Sequence, residues 1–274
     1  MFWATDGAVK HDQKEHERPT LPRSTLRHPQ RPPCAVTTEH RPTDVLNEPA
    51  YRAGEAAHIQ ALPFGTVQAW SFGHDYRHAD GKPKRFKRVI EPADARQKLL
   101  SFANLCELHL LGVIRRRHRV KLPQVRQAVD YMRERLGDAR PLLSARFRTN
   151  GVDLFVECAE LLLNVSRQGQ QALREDFEQA LSRVEYDGRG TVVRLFPYSA
   201  PAHNTAAQSR AVVVDPLRSF GRPALADVYV RTEVIADRFG AGDSIEEMAS
   251  DFRVSPRQIE QALRFERYRR HRAA

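Results

Sequence analysis

Two helix-start signals, eleven residues apart near the C-terminus, constrain this chain more than any other feature of its sequence. Ser244 and Glu247 have the spacing of a capping box, in which a hydroxyl and a carboxylate each satisfy a free backbone donor. Ser255 and Gln258 repeat that spacing, and Pro256 occupies the first helical position, where its missing N–H costs nothing. The sequence therefore predicts two helices separated by a short turn.

Apolar residues at helical spacing indicate which face of each helix is buried. On the first helix they are Ile245, Met248, Ala249 and Phe252, and on the second they are Val254, Ile259, Ala262 and Leu263. Because Ala249 is small, the two helices can cross closely. The pattern predicts a helix-turn-helix. The alternative is a two-helix corner that packs into another kind of domain.

Charge and composition narrow the class of partner. The 274 residues are 41% hydrophobic, which allows two domains with real cores, and the formal net charge is +10. A polyanion is the natural partner for such a chain, although composition does not choose between DNA, RNA and an acidic protein. The three cysteines, Cys34, Cys106 and Cys158, form no CxxC pair, so neither a zinc site nor a disulfide framework is indicated.

The sequence carries no sign of a membrane or export segment. No apolar run approaches the roughly 20 residues that span a bilayer, and the N-terminus lacks the apolar core of a signal peptide. Few, widely spaced cysteines fit a reducing compartment. We therefore expect a soluble, cytoplasmic protein with no membrane partner.

Composition and periodicity predict a mainly α fold with small β elements (α+β). We expect a disordered tail at 1–46, a winged helix-turn-helix at 47–92, and a middle region of helices and strands at 93–197. A linker at 198–209 then leads to a C-terminal module, residues 210–274, built as a three-helix, helix-turn-helix-like unit.

A second helix pair is predicted near the start of the periodic sequence. A short helix over 54–60 precedes a break at Pro63, and Val67 and Trp70 would pack the following helix against the first. Residues on the opposite face of that second helix would meet base edges, as those of a recognition helix do. These are Phe64, Thr66, Gln68 and Ser71. The alternative is that exposed polar positions on a helix simply face water.

A cationic segment that we call the basic hairpin, residues 76–90, follows directly. The pattern predicts two strands that turn at Asp80 and Gly81, with a dense set of cations that would follow the phosphate backbone. The candidate DNA contacts in it are Arg77, Lys82, Lys84, Arg85, Lys87 and Arg88. A charge run is also typical of a solvated face, but its position after a helix-turn-helix favours DNA binding.

The middle region is predicted to mix helices with short strands. We expect a long helix after Pro92 that ends in the basic cluster 115–119, and a second helix from Pro123. Apolar runs at 154–156 and 161–165 are typical of strands, the first of them after an Asn150–Gly151 turn. A helix over 170–183 and a strand over 192–196 complete the region.

The first helix pair and the basic hairpin resemble the DNA-binding half of MerR-type regulators. Their motif runs roughly E-A-A-x-x-L-G-V-S-x-x-T-L-R-x-W. The residues that match it are Glu55, Ala56, Ala57, Thr66, Val67 and Trp70. The chain departs from it with Ala61 where glycine is usual and Pro63 where serine is usual.

The C-terminal module resembles a widespread small antitoxin domain, first catalogued as a domain of unknown function. The resemblance is carried by the stretch 220–223, the helix sequence 232–239 and the capped pair at 242–262. Residues 227–231 stand in for a usual G-T-R-I-P-like stretch. The arrangement from about 48 to 268 looks like the longer VapB-type antitoxins, in which a MerR-like domain is joined to this module.

The resemblance implies an antitoxin of a type II toxin–antitoxin system. Such a protein would neutralise a PIN-like ribonuclease toxin by direct contact and repress its own operon by binding operator DNA, as a homodimer and in toxin–antitoxin hetero-oligomers. Because the basic hairpin is already assigned to DNA, we assign the toxin or dimer contact to the last helix. The residues are Arg257, Glu260, Arg264, Arg267 and Tyr268.

Two other functions remain open at this stage. A stand-alone MerR-like transcriptional regulator would use the same DNA-binding half, and a PIN-like reading frame beside the gene would argue against it. A metal-dependent nuclease needs several convergent acidic ligands, whereas acidic residues such as Glu246, Glu247 and Asp251 lie at helix starts and on helix faces. We therefore expect no catalytic residue, no metal site, no cofactor and no enzymatic activity.

Overall fold

A computed structural model of the chain describes residues 42–77, 81–113, 122–144, 146–163, 167–198 and 209–273. All of them belong to one compact unit, residues 40–274. Residues 1–41 of the expected tail, the cluster at 115–119 and nearly all of the expected linker at 198–209 lie outside the described residues, so those expectations remain predictions. Residues 42–46 of the expected tail belong instead to a helix over Pro42–Asn47, and Leu46 is buried in the core. None of the helices in the described ranges combines the length and the apolarity needed to cross a membrane.

The structure is mainly helical with small sheets, which confirms the α+β fold class. The α-helices are α1 Pro42–Asn47, α2 Ala53–Gln60, α3 Phe64–Phe72, α4 Phe102–Val113, α5 Leu122–Leu136, α6 Val152–Leu163, α7 Arg167–Leu181, α8 Thr232–Ala241, α9 Ile245–Phe252 and α10 Pro256–Ala273. The strands are β1 Tyr51–Arg52, β2 His74–Arg77, β3 Pro83–Phe86, β4 Leu99–Leu100, β5 Val184–Tyr186, β6 Val192–Leu195, β7 Val212–Val213 and β8 Ala224–Leu225. They form four antiparallel pairs: β1 with β4, β2 with β3, β5 with β6, and β7 with β8.

Helix α4 lies at the centre of the larger core. All of its residues are buried, including the polar residues Asn104, Glu107 and His109. It begins at Phe102, ten residues after Pro92 and later than predicted. Leu99 and Leu100 instead pair with β1, and the Ser101 hydroxyl accepts the Asn104 backbone N–H at 3.2 Å as an N-cap.

The two strands predicted at 154–156 and 161–165 are wrong, because α6 occupies residues 152–163. Val152, Phe155 and Val156 are buried, whereas Asp153 and Glu157 are exposed, which is the period of a helix against a core. The Asn150–Gly151 pair is the end of a π-helical turn over Phe147–Gly151 that leads directly into α6. Residues 164–165 lie outside the described ranges.

The C-terminal module has the predicted capped helices. Ser244 Oγ accepts the Glu247 backbone N–H at 3.2 Å, and Glu247 Oε2 accepts the Ser244 N–H at 2.9 Å, which confirms the first capping box. At the second start, Gln258 Oε1 accepts both the backbone N–H and the hydroxyl of Ser255, each at 2.9 Å. The predicted apolar residues of both helices are buried or partly buried in one cluster.

Helix α2 packs against this module. The Tyr51 hydroxyl, just before α2, donates to the Gly221 carbonyl at 2.9 Å. Glu55 forms an ion pair with Arg222. His58 Nε2 lies 2.9 Å from Glu266 Oε2 on α10. Three polar contacts therefore join the first helix pair to the C-terminal module.

Candidate functional site

The corner between α2 and α3 forms in spite of the unusual residues at 61 and 63. Ala61 adopts the left-handed conformation, with φ of 49°, that a glycine would adopt more easily. Its N–H donates to the His58 carbonyl at 3.2 Å, and the Leu62 N–H donates to the Ala57 carbonyl at 3.0 Å. The carbonyl of Pro63 then accepts the Thr66 N–H at 2.9 Å, which starts α3. The turn is therefore tight.

Helix α3 presents three of its four predicted contact residues. Phe64 is 45% exposed, and Thr66 and Gln68 are half-buried, while Val67 and Trp70 are buried as predicted. The expected outward orientation of Ser71 is wrong. Ser71 is fully buried because it lies four residues after Val67, on the same face of the helix.

The basic hairpin is attached directly to the C-terminal end of α3. The backbone N–H groups of Val89 and Ile90 both donate to the Trp70 carbonyl, at 2.7 and 3.2 Å. At the base of the hairpin His74 stacks on Phe86, with ring centroids 5.0 Å apart. These contacts fix the orientation of the hairpin relative to α3.

Helix α5 supports the hairpin from the other side. The Arg126 guanidinium lies 4.5 Å from the centroid of the Phe86 ring, and it also donates to the Lys87 carbonyl. A cation over a ring face is attracted by the ring quadrupole. The hairpin is thus held by α3 and α5 together.

The cations of the hairpin point mostly into solvent. Arg77, Lys82, Arg85 and Lys87 are exposed, and Arg88 is exposed in an ion pair with Glu91. Lys84 lies in β3, but its side chain is outside the described residues. An exposed cationic hairpin next to a partly exposed helix can follow a polyanion backbone while the helix enters a groove.

The candidate contact residues on α10 form a second cationic surface. Arg257 and Arg267 are exposed, and Arg264 pairs with Glu260 one turn earlier at 3.0 Å. Tyr268 belongs to α10, but its side chain is outside the described residues.

The sequence did not reveal the role of Glu266. Its side chain is buried and accepts the Thr232 hydroxyl at 2.6 Å, while its other oxygen contacts His58. Because His58 and Glu266 are 208 positions apart, no local spacing could have indicated this pair.

Glu107, on the fully buried helix α4, is a carboxylate of the core. Burial raises the pKa of Glu107, while Arg140 at 2.6 Å and Asn104 at 2.9 Å oppose that shift. Burial likewise raises the pKa of Cys106, which acts as a small apolar side chain. Within the described part of the chain, no group of three His, Cys, Asp or Glu side chains is arranged to hold a metal ion.

Known proteins resemble this chain along most of its length. The family model "Protein of unknown function (DUF433)" matches residues 212–265. The chain is 25% identical to "Putative antitoxin VapB45" of Mycobacterium tuberculosis over 233 residues, which is 78% of this chain and 92% of that protein. It is 24% identical to "Uncharacterized protein Rv2308" of the same bacterium, over 81% of this chain and 91% of that protein.

A solved structure shares the fold. The crystal structure of Rv2018 from Mycobacterium tuberculosis aligns with a TM-score of 0.55 and 20% identity, and the alignment covers 79% of this chain and 98% of that one. The chain is therefore similar over most of its length to a protein described as a putative antitoxin, and the DUF433 match lies in the C-terminal module.

Proposed function

We propose that this chain is the antitoxin of a type II toxin–antitoxin system, which neutralises a PIN-like ribonuclease toxin and represses its own operon. The observation that carries the proposal is the similarity to Putative antitoxin VapB45 along 92% of that protein. The net charge of +10 fits a protein whose second partner is DNA. Binding to operator DNA would place the chain in the cytoplasm.

In this proposal α2, α3 and the basic hairpin act as a winged helix-turn-helix of the MerR type. Phe64, Thr66 and Gln68 meet base edges, and the hairpin cations meet phosphates. Ser71 has no place in this interface because it is fully buried. A homodimer would match two half-sites of a palindromic operator.

The toxin is assigned to the cationic surface of α10. Arg257, Arg264 and Arg267 are exposed there, and Tyr268 follows them in the helix. They lie on an element other than α3 and the basic hairpin, so the proposed toxin and DNA contacts share no residue.

Charge reversal in the hairpin tests the DNA-binding half of the proposal. We expect replacement of Lys84, Arg85 and Lys87 by glutamate to abolish the gel shift of the DNA upstream of the gene at moderate salt. A residual complex should show a shallower dependence of log K on log salt, by about 0.9 for each lost phosphate contact. Binding to the toxin should be unchanged.

The matched control reverses three exposed cations on other loops, Arg96, Lys98 and Arg189. It changes the net charge by the same amount and should reduce the salt slope much less. If both triple variants weaken DNA binding equally, attraction is non-specific and the hairpin is not the contact.

A stand-alone MerR-like regulator is the second candidate, because the exposed helix and hairpin alone would suffice for it. The two functions are separated by co-expression of the chain with the product of an adjacent PIN-like reading frame. Co-purification, with loss of the ribonuclease activity, supports the antitoxin. Absence of the reading frame, or of binding, supports the regulator.

A further inference from the structure

The base of the basic hairpin is held by two helices of the middle region. Helix α5 reaches it through Arg126, whose guanidinium lies 4.5 Å from the centroid of the Phe86 ring and donates to the Lys87 carbonyl. Helix α4 holds the chain just beyond the hairpin, because Asn104 Nδ2 donates to the Glu91 carbonyl at 2.7 Å. Both helices lie after residue 92, where the predicted DNA-binding domain ends.

Arg126 lies in this contact rather than in open solvent. The residue is half-buried, and its Nε is buried without a hydrogen-bond partner among the described residues. Burial lowers the pKa of Arg126, while Asp130, one turn later on α5, opposes that shift. The guanidinium has therefore lost hydration, and the Phe86 ring and the Lys87 carbonyl replace part of it.

The length of the hairpin makes its base important for its outer cations. Lys82 lies four residues before Phe86, and a strand rises about 3.3 Å per residue, so the two are about 13 Å apart. A rotation of about 10° at Phe86 would move a cation at that distance by about 2 Å. A charge-assisted hydrogen bond is only about 2.7–2.9 Å long, so such a rotation is enough to break a phosphate contact.

We propose that Arg126 is a positioning residue for DNA binding, which holds the basic hairpin in the orientation that meets the phosphate backbone. Arg126 acts through Phe86 and Lys87 and does not itself contact DNA. A hairpin that is already ordered loses less conformational freedom on binding, which raises the affinity. This inference rests on the proposed DNA binding and extends the DNA-binding unit from 47–92 into the middle region.

Two other roles for Arg126 predict different results. A cation that contacts phosphate contributes about 0.9 to the slope of log K against log salt. A residue that only stabilises the fold changes the free energy of unfolding and leaves the DNA affinity of the folded protein unchanged. A positioning residue changes the affinity but not the salt slope, because the bound hairpin makes the same phosphate contacts.

Arg126→Ala in the full-length chain tests the proposal, with a duplex of the DNA upstream of the gene as the probe. We expect the affinity to fall about tenfold at moderate salt, because the hairpin must be ordered on binding. The salt slope should fall by much less than the value of about 0.9 for one phosphate contact. Amide hydrogen exchange should become faster in β2 and β3 and stay unchanged in α4.

Arg135→Ala is the matched control. Arg135 also lies on α5, is exposed, and has its guanidinium 5.8 Å from the centroid of the Tyr131 ring on the same helix. The substitution removes the same charge and the same kind of ring contact, without removing a contact to Phe86 or Lys87. It should change the DNA affinity less than about twofold and leave hydrogen exchange in the hairpin unchanged.

Phe86→Leu tests the same contact from the hairpin, and it keeps the test valid if Arg126→Ala does not fold. Leucine keeps apolar volume but removes the ring face on which the guanidinium lies. We expect binding to weaken about threefold, and the double variant to bind no more weakly than Arg126→Ala alone, because both changes remove one interaction. Additive losses would show that Arg126 does not act through Phe86.

The outcomes separate this inference from the function on which it rests. If the unchanged chain does not bind the duplex, the proposed DNA binding and this inference both fail. If it binds, and Arg126→Ala weakens binding no more than Arg135→Ala does, the inference alone is overturned. If Arg126→Ala lowers the salt slope by about 0.9, Arg126 is a phosphate contact and not a positioning residue.

Discussion

At the residue scale, Gly73 determines where the basic hairpin starts. It follows α3 with φ of 71°, a conformation that side chains rarely adopt. A Cβ at this position would overlap the carbonyl oxygen of Phe86 on the neighbouring strand. Ala61 also adopts a left-handed conformation, so a positive φ does not by itself require glycine. At Gly73 the close approach of the Phe86 backbone is therefore the stronger reason for glycine.

Replacement of Gly73 by alanine tests this point. We expect it to lower the free energy of unfolding by roughly 1–3 kcal/mol, since the new residue is strained and crowded. DNA affinity should fall because the hairpin must shift relative to α3. Urea denaturation and gel shifts measure the two effects. In the control, Gly54→Ala, nothing lies near the added Cβ on α2, and stability should rise by about 0.5–1 kcal/mol. Equal behaviour of the two variants would contradict the argument.

At the element scale, the capping box shows how a short helix is stabilised in the C-terminal module. Helix α9 has only 8 residues, too few for a stable helix by itself in water. At its start, Ser244 and Glu247 accept each other's free backbone N–H groups, and the apolar face of the helix is buried. The backbone N–H and the hydroxyl of Ser244 both lower the pKa of Glu247. Local hydrogen bonds and packing therefore hold α9 together.

Ser244→Ala should lower the free energy of unfolding by about 1 kcal/mol, with a range of 0.5–2, at neutral pH. The folded state depresses the pKa of Glu247, so its contribution is present above the unfolded pKa and is lost as pH falls through the folded pKa. The difference between the variant and the unchanged protein should therefore shrink in acid, as measured by urea denaturation at several pH values. Ser250→Ala, an exposed change inside α9, is the control and should not destabilise. If the difference in the free energy of unfolding between the two proteins does not change with pH, the capping box does not contribute through Glu247.

At the scale of the whole molecule, contacts of β1 and α2 with the C-terminal module join the two ends of the described chain. Tyr51, Glu55 and His58 contact Gly221, Arg222 and Glu266 respectively. The first of these hydrogen bonds is buried. Buried polar contacts between distant segments couple their unfolding. The proposed boundaries at 47–92 and 210–274 therefore separate segments that touch.

This coupling predicts one unfolding transition. Trp70 in α3 is buried, and replacing Trp3 by phenylalanine makes it the only tryptophan. Its fluorescence and the far-ultraviolet circular dichroism should then change together along a urea titration. Two separate midpoints would mean that the helix pair unfolds independently of the module. Glu266→Ala, which removes the contact with His58 and the hydrogen bond from Thr232, should shift both signals equally.

Much of the fold was predictable because its signals are local. Ser244 with Glu247, and the break at Pro63 between α2 and α3, depend on residues within a few positions of each other. The strand predicted at 154–156 was wrong because residues distant in the sequence determine the secondary structure there. The apolar run at 154–156 is equally compatible with a strand, and α6 became a helix by packing between α5 and α7. Ser71 is the exception, because its burial follows from local spacing: it lies four residues after Val67, on the same buried helix face.

The sequence by itself determined the starts of α9 and α10, the apolar faces of these two helices, and the charge of the basic hairpin. Each of these depends on backbone hydrogen bonds or side-chain periods that span only one or two turns. The tertiary structure alone decided that α2 packs on α10, that Glu266 faces His58, and that Arg126 lies over the Phe86 ring. Those outcomes depend on which surfaces meet after the chain has closed long loops, and the spacing of neighbouring residues does not contain that information.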